Sequence, residues 1–152
     1  VDEGRGFTII DYEDRYKQAL EDISSWLLEY DLLEPVDLEM LAEPHRFLSG
    51  GGRVLLALGE EIVGMVMLEL QGKGQCELLK FGVKEATGPG IGSGLMGAAL
   101  QAARDAGQKK AVLTSNHQLR EALRLYERFG FKYVTYSDKW FQLSDIRMER
   151  EL

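Results

Sequence analysis

One stretch of the chain, residues 78–107, constrains the fold more than any other. It begins with an apolar run that predicts a strand, passes through a turn with glycines at 88, 90, 92 and 94, and ends in a helical apolar pattern. The apolar residues of the strand are Leu78, Leu79, Phe81 and Val83, and those of the helix are Ile91, Leu95, Met96, Ala99, Leu100 and Ala103. Gly107 follows where this helix is expected to end. The sequence therefore predicts a strand, a glycine-rich turn and a helix in immediate succession.

A glycine-rich turn that opens a helix is typical of a phosphate-binding site. Glycines lack Cβ atoms, so the backbone can approach an anion, and the first N–H groups of the helix point toward it without an intrahelical partner. Residues 92–97 also fit the dinucleotide pattern GxGxxG, but the next strand, residues 110–115, has no Asp or Glu at its end to bind a ribose. We therefore predict a phosphate-binding turn outside a dinucleotide fold. A tight turn without a ligand is the alternative.

The N-terminal part of the chain predicts a short strand and two helices. Residues 7–10 read as the strand, and residues 11–30 read as a helix whose apolar positions recur every three or four residues. Those positions are Tyr16, Leu20, Ile23, Leu27 and Tyr30. Residues 36–47 contain a second, short helix with Leu38, Leu41 and Ala42 facing inward, and Pro44 is expected to end or distort it.

The remaining elements predict a mixed β-sheet. The predicted strands span residues 53–58, 62–70, 75–83, 110–115, 131–136 and 140–149, with turns at 49–52, 59–61, 71–74 and 137–139 and a helix at 119–130. The central strand–helix–strand unit requires a parallel pair, residues 78–83 beside residues 111–115. We expect one α+β domain over residues 1–152, with a mixed sheet flanked by helices.

Two segments of the chain, at the separation usual for the family, resemble the GNAT superfamily of N-acetyltransferases. Residues 83–95 (VKEATGPGIGSGL) resemble the family's loop for the pyrophosphate of acyl-coenzyme A, Q/R-x-x-G-x-G/A. Residues 122–131 (ALRLYERFGF) resemble its helix and following strand, A-x-x-L-Y-x-x-x-G-F. The chain departs from the family at Thr87, the Q/R position, and at Leu119, where many members have Asn. The resemblance implies a GNAT-like fold with the central parallel strands splayed around the cofactor.

The resemblance also implies a cofactor, acetyl-CoA, with coenzyme A as the product. Its pantetheine is expected to pair like an extra strand with the backbone of Phe81, Gly82 and Val83. Its pyrophosphate is expected to bind at Gly88, Pro89, Gly90, Ile91, Gly92, Ser93 and Gly94. Asn116, after the second parallel strand, is a further candidate for cofactor contact, although residues 115–118 (SNHQ) also read as a capping box for the following helix.

Acetyl transfer to an amine requires an acid for the leaving thiolate and a base for the ammonium. Tyr126 is the candidate acid, since Leu119, Ala122, Leu123 and Tyr126 share one helical face that points toward the sheet; a buried structural tyrosine is the alternative. Glu77 is the candidate base, directly or through a water, and strand alternation predicts that it shares a face with Leu79 and Phe81. An ordinary surface carboxylate is the alternative, and Glu69 is the substitute base.

The acceptor site is expected at the two N-terminal helices, which form one wall of it in the resembled family. The candidate residues are Trp26, Tyr30, Asp31 and Glu34, with core packing or solvated charge as the alternative. Residues 1–49 carry a net charge of −9 and residues 50–152 a net charge of +2, which sum to the net −7. This asymmetry suits a cationic amine on one side and an anionic cofactor on the other, or it simply maintains solubility.

The predicted activity is therefore transfer of an acetyl group from acetyl-CoA to a primary amine by direct attack in a ternary complex. A non-catalytic acyl-CoA binding or sensing module and another kind of nucleotide-binding domain remain alternatives. The negative charge argues against nucleic-acid binding, and no apolar run or signal-peptide core indicates a membrane. The single Cys76 suits a cytoplasmic protein, and neither histidine has a metal partner at ligand spacing, so no metal is expected. A small-molecule, peptide or protein amine and a homodimer remain open as partners.

Overall fold

A computed structural model of the chain describes residues 6–24, 35–84, 90–135 and 144–152, with the backbone alone for residues 24 and 35–38. The strands are β1 (Thr8–Asp11), β2 (Arg53–Leu58), β3 (Ile62–Gly72), β4 (Gln75–Val83), β5 (Lys110–Ser115), β6 (Lys132–Val134) and β7 (Ile146–Glu151). The helices are α1 (Lys17–Ser24), α2 (Pro35–Ala42), α3 (His45–Ser49), α4 (Ile91–Asp105) and α5 (Arg120–Arg128). In the part of the chain so described, the strands form one sheet in the order β1-β2-β3-β4-β5-β7-β6.

The sheet is mixed, as predicted. Strands β1 to β4 form antiparallel neighbours, β4 and β5 are parallel, and β7 pairs antiparallel with both β5 and β6. The parallel ladder is shorter than predicted and begins three residues earlier in β4. It joins only residues 75–77 to residues 110–112, rather than residues 78–83 to residues 111–115. The two strands therefore part at their carboxyl ends.

Each face of the sheet has its own apolar core. The face that we call the α4 face carries Leu55, Val66 and Leu78, which pack with residues of α4 and α5. The opposite face, which we call the α1 face, carries Leu56, Met65 and Leu79, which pack with residues of α1, α2 and α3. The two sets of side chains alternate along β2 and β3, as strand geometry requires.

The N-terminal helices differ from their prediction. Asp11 belongs to β1, a 3₁₀ turn follows at Asp14–Tyr16, and α1 begins only at Lys17. The predicted inward position of Ala42 is wrong, because Ala42 is exposed while Leu41 is buried. Pro44 explains the break: it disfavours a helical conformation at the preceding residue and instead occupies the N-cap position of a new helix, α3.

Two strand boundaries also differ from their prediction. Strand β3 continues to Gly72, so the turn into β4 is reduced to Lys73 and Gly74, which have positive φ angles of 57° and 77°. Positive φ at both central residues is the geometry of a tight hairpin turn. In the closing pair, β6 begins at Lys132 and β7 begins at Ile146, while the predicted turn at residues 137–139 lies outside the described residues.

Helix α4 lies very close to the sheet at Gly64 of β3. A Cβ atom at Gly64 would lie 2.7 Å from Cδ1 of Leu95 and 3.3 Å from the carbonyl oxygen of Gly82. By contrast, a Cβ atom at Gly97, on the same helix, would meet no atom within 4 Å. The absence of a side chain at Gly64 therefore sets the distance between the helix and the strand.

We expect Gly64→Ala to lower the free energy of unfolding by about 1–3 kcal/mol, because the added methyl group overpacks the contact between β3 and α4. Gly97→Ala is the matched control and should raise the free energy of unfolding by about 0.5–1 kcal/mol, since alanine suits a helix interior better than glycine. Urea unfolding of both variants measures the difference. Equal stabilities would contradict the close packing at Gly64.

Candidate active site

A β-bulge in β4 determines which of its side chains face α4. Leu79 pairs with Met67 and Gly82 pairs with Met65, so Lys80 and Phe81 together oppose a single residue of β3. Lys80 has a φ of 54°, which is uncommon for a residue other than glycine. Such a bulge adds one residue and reverses the alternation of the side chains that follow.

The bulge corrects one prediction about Glu77. Before the bulge, Cys76 and Leu78 pack in the α4 face, so Glu77 points to the α1 face with Leu79. After the bulge, Phe81 packs in the α4 face. The expectation that Glu77 shares a face with Leu79 is confirmed, and the expectation that it also shares a face with Phe81 is wrong. Simple alternation applies only to an unbroken strand.

Beyond their short ladder, β4 and β5 leave an opening in the sheet. From Leu78 onward β4 keeps its pairing with β3, but within the described residues it has no pairing with β5. Strand β5 in turn continues to Ser115 with β7 as its only strand partner in that same part of the chain. One edge of the β4 backbone, which includes residues 81–83, therefore has no neighbouring strand among the described residues.

Tyr126 lies beside this opening on the α4 face. It is buried on α5, as its helical spacing predicts, and its ring contacts the rings of Phe81 and Phe131 edge-on, with centroid distances of 5.7 and 6.2 Å. Burial raises the pKa of the Tyr126 hydroxyl, so it is protonated at neutral pH. No hydrogen bond joins this hydroxyl to any other described residue.

Glu77 lies beside the opening on the α1 face. The residue is 9% exposed, and its side chain accepts a hydrogen bond of 2.6 Å from Nε2 of Gln71. Burial raises the pKa of Glu77 and the neighbouring Glu69 raises it further, whereas the hydrogen bond from Gln71 and the charge of Arg147 oppose the increase. The candidate acid and the candidate base therefore face opposite sides of the sheet at the strand that borders the opening.

The N-terminus of α4 lies beside the open strand, because a Cβ atom at Gly92 would lie 3.7 Å from Cζ of Phe81. Gly90 occupies the N-cap with a φ of 91°, is exposed, and accepts a hydrogen bond of 2.8 Å from the Gly94 amide. The amides of Ile91, Gly92 and Ser93 belong to the first turn, where N–H groups have no intrahelical acceptor. These donors and the positive end of the helix dipole suit a phosphate group.

The glycines of this turn have different structural roles. A Cβ atom at Gly92 would lie 3.3 Å from Cδ2 of Leu125, and one at Gly94 would lie 2.9 Å from the ring of Phe7. A Cβ atom at Gly90 would meet nothing within 4 Å, so glycine is favoured there by the positive φ angle. Gly94 thus serves close packing, which the sequence pattern alone does not distinguish from anion binding.

The loop after β5 differs from the predicted capping box. Helix α5 begins at Arg120, and its N-cap residue, Leu119, makes no side-chain capping bond. Asn116 is buried and its Oδ1 atom accepts a hydrogen bond of 2.9 Å from the Gln118 amide, which closes a local turn. The capping prediction is wrong because the serine that would cap the helix, Ser115, is the last residue of β5.

Asp145 is a loop residue that the sequence analysis missed. Its carboxylate accepts a hydrogen bond of 2.9 Å from the His117 backbone amide and contacts Nδ1 of the His117 ring at 2.5 Å. Its own amide donates to the Ser115 carbonyl oxygen at 3.1 Å. These contacts tie the end of β5 to the start of β7. His117 and Asp145 are 28 residues apart in the sequence, so no local sequence pattern predicts their contact.

Several predicted residues lie outside the described residues: Trp26, Tyr30, Asp31 and Glu34 of the acceptor wall, and Gly88 and Pro89 of the phosphate-binding turn. Arg120, Arg124 and Arg128 form an exposed stripe along α5. Over the described ranges, no three His, Cys, Asp or Glu side chains converge as metal ligands. The same ranges contain no helix that is both long and apolar enough to cross a membrane.

The fold closely resembles solved acetyltransferases. An acetyltransferase of the GNAT family from Staphylococcus aureus Mu50 superposes with a TM-score of 0.87 at 20% identity over 95% of this chain and 98% of that chain. The yncA protein of Salmonella typhimurium, solved with its cofactor acetyl-CoA, has a TM-score of 0.77 at 19% identity over 96% of this chain and 94% of that chain. PaiA N-acetyltransferase from Thermoplasma acidophilum, in complex with coenzyme A, has a TM-score of 0.74 at 18% identity over 96% and 99% of the two chains.

These likenesses establish the fold class as that of the acetyltransferases with a splayed mixed sheet. The family assignment follows from the sequence itself, because residues 12–131 match the model of the Acetyltransferase (GNAT) family. The chain therefore belongs to the GNAT acetyltransferase family, as the two segments in register predicted. Among curated proteins, none matches this sequence.

We expect Tyr126→Phe to change the free energy of unfolding by less than about 1 kcal/mol, because no hydrogen bond to a described residue is lost. Tyr126→Ala should lower it by about 3–5 kcal/mol, because it removes a buried ring that contacts Phe81 and Phe131. Urea unfolding distinguishes the two variants. A large loss in Tyr126→Phe would mean that the hydroxyl is itself a structural group.

Proposed function

We propose that this protein transfers the acetyl group of acetyl-CoA to a primary amine by direct attack within a ternary complex. The observation that carries the proposal is the opening between β4 and β5, which leads to the N-terminus of α4. A strand edge that lacks a neighbouring strand among the described residues and a helix terminus whose first amides have no intrahelical acceptor fit the two parts of such a cofactor, a pantetheine arm rich in amides and a diphosphate.

The cofactor would be held mainly by backbone groups. In this proposal, the backbone of Phe81, Gly82 and Val83 binds the pantetheine arm, and the amides from Gly90 to Ser93 bind the pyrophosphate. Gly88, Pro89 and Asn116 complete the proposed contacts. Backbone recognition does not depend on side-chain identity, so Thr87 in place of the family's Gln or Arg is compatible with binding.

When bound, acetyl-CoA supplies a thioester whose carbonyl carbon is open to attack by an amine. Glu77 would remove the proton from the acceptor's ammonium group, directly or through a water. Its raised pKa brings the carboxylate closer to the neutral range in which a general base is most effective. The second carboxylate at Glu69 and the acidic residues of segment 1–49 favour a cationic acceptor, such as a polyamine or a basic peptide.

Tyr126 would protonate the leaving thiolate. Burial makes the tyrosine hydroxyl a weaker acid than it is in water, but a thiolate formed in the same buried surroundings is destabilised for the same reason. The proton transfer therefore need not be strongly unfavourable. The position of Tyr126 on the α4 face would separate the departing thiol from the amine, which Glu77 serves on the α1 face.

The proposal is tested by calorimetry with acetyl-CoA followed by a thiol-release assay with a panel of amines. The panel contains amino acids, polyamines, an aminoglycoside and lysine-containing peptides. We expect binding at micromolar ligand and amine-dependent release of coenzyme A, with the fastest release from a cationic acceptor. Binding without product would favour an acyl-CoA sensing module, and NAD or ATP serves as the control ligand. No heat at millimolar acetyl-CoA would contradict the proposal.

We expect Tyr126→Phe to lower kcat by about 10²-fold or more while KM for acetyl-CoA stays within about twofold, because the acid acts after the cofactor is bound. Tyr133→Phe is the matched control, since Tyr133 is an exposed tyrosine whose hydroxyl bonds to Glu127. Steady-state kinetics compares the three proteins. Equal losses in turnover and in cofactor affinity would remove Tyr126 from the role of acid.

A further inference from the structure

Gln71 lies where β3 departs from regular pairing. Leu70 pairs with Cys76 and Gly72 pairs with Gln75, so Gln71 is an extra residue in β3 just before the hairpin turn. An extra residue of this kind redirects its side chain. The Gln71 side chain accordingly reaches back across the turn, and its Nε2 atom lies 2.6 Å from Oε1 of Glu77.

A second glutamine fixes the orientation of the Gln71 amide. Nε2 of Gln75 donates a hydrogen bond of 2.7 Å to Oε1 of Gln71. If the Gln71 amide were reversed, its oxygen would face the Glu77 carboxylate and its NH₂ group would face the donor of Gln75, so both contacts would become repulsive. The chain from Gln75 through Gln71 to Glu77 thus presents an N–H donor to the buried carboxylate.

The charged groups around Glu77 do not replace this contact. Glu69, which pairs with Glu77 across β3 and β4, disfavours ionisation of the Glu77 carboxyl group, and Arg147 on β7 favours it. However, Nε of Arg147 also lies 3.6 Å from Oε1 of Glu149. Oε2 of Glu149 in turn lies 3.4 Å from Nζ of Lys110 in β5. The charge of Arg147 is therefore shared with another carboxylate. Among the described residues, Gln71 is the one whose side chain donates a hydrogen bond to the Glu77 carboxylate.

We propose that Gln71, oriented by Gln75, is a positioning residue that holds the Glu77 carboxylate ready to accept a proton from the acceptor amine. This inference rests on the proposed transferase function, in which Glu77 is the base. Gln71 itself touches neither the cofactor nor the reacting atoms in this account. Its side chain is exposed, so it can be replaced without disturbing either core.

The pH dependence of kcat/KM tests this role. Glu77 acts as a base only when it is ionised, so activity declines as the pH falls through its pKa. Gln71→Met removes the N–H donor, raises the pKa of Glu77 and moves this acidic limb to higher pH. At pH values below the pKa of Glu77, we expect kcat/KM of Gln71→Met to be about tenfold lower than that of the wild type with the same acceptor. At pH values well above this pKa, we expect little loss. Gln71→Lys restores a donor with a positive charge and should move the limb below its wild-type position.

Nuclear magnetic resonance provides a readout independent of activity. Titration of the ¹³C-labelled Glu77 carboxyl group should show the same upward shift in Gln71→Met and a smaller upward shift in Gln75→Met. Gln101→Met is the matched control, because Gln101 is an exposed glutamine on α4 that donates a hydrogen bond of 2.9 Å to Asp105. Gln101→Met should change neither the acidic limb nor the Glu77 titration.

The outcomes separate the inference from the function on which it rests. Upward shifts of both the carboxyl titration and the acidic limb in Gln71→Met support the inference. An active Gln71→Met enzyme whose limb stays at the wild-type pH overturns it, whether or not the carboxyl titration moves. A wild-type protein that transfers no acetyl group, or a fully active Glu77→Gln enzyme, contradicts the proposed base and removes the inference with it.

Discussion

The site depends on the point at which β4 and β5 stop pairing. The parallel ladder ends at Glu77 and Val112, yet both strands continue and keep their outer partners, β3 and β7. Backbone N–H and C=O groups that leave a ladder must find other hydrogen-bond partners, because burying them unpaired costs free energy comparable to a lost hydrogen bond. Gly82, on the open edge of β4, is buried. The protein therefore presents the kind of edge that an extended amide-containing ligand can complete.

The bulge at Lys80 gives this opening two chemically different sides. Without the extra residue, Phe81 would follow Glu77 and Leu79 onto the α1 face and could not contact Tyr126. With it, the Phe81 and Tyr126 rings form an apolar wall on the α4 face, while Glu77 keeps its polar neighbours on the α1 face. The conformation of Lys80 costs about 1–2 kcal/mol relative to an ordinary strand residue. That cost is small beside the burial of the Tyr126 ring and the partial burial of the Phe81 ring against it.

The sequence correctly predicted structural elements that depend on a local pattern of residues. The apolar spacing from Ile91 to Ala103 correctly predicted α4, and the strand–turn–helix order correctly predicted a parallel pair. The bulge was missed because a lysine, not a glycine, adopts the positive φ angle, so no residue type marks it. The contact of His117 with Asp145 was missed because the loop geometry that joins β5 to β7 arises only in the folded sheet.

Electrostatics explains why the two faces suit different ligands. The segment 1–49, which supplies α1, α2 and α3, carries a net charge of −9, whereas the rest of the chain carries +2. In the proposed reaction, a cationic amine would therefore be attracted to the α1 face, where Glu69 and Glu77 lie side by side. A polyanionic cofactor would be repelled there, but the N-terminus of α4 offers it amides that have no intrahelical acceptor and a positive dipole. In the proposed reaction, the anionic cofactor and the cationic amine meet at the opening between β4 and β5. The cofactor approaches from the N-terminus of α4, and the amine approaches from the α1 face.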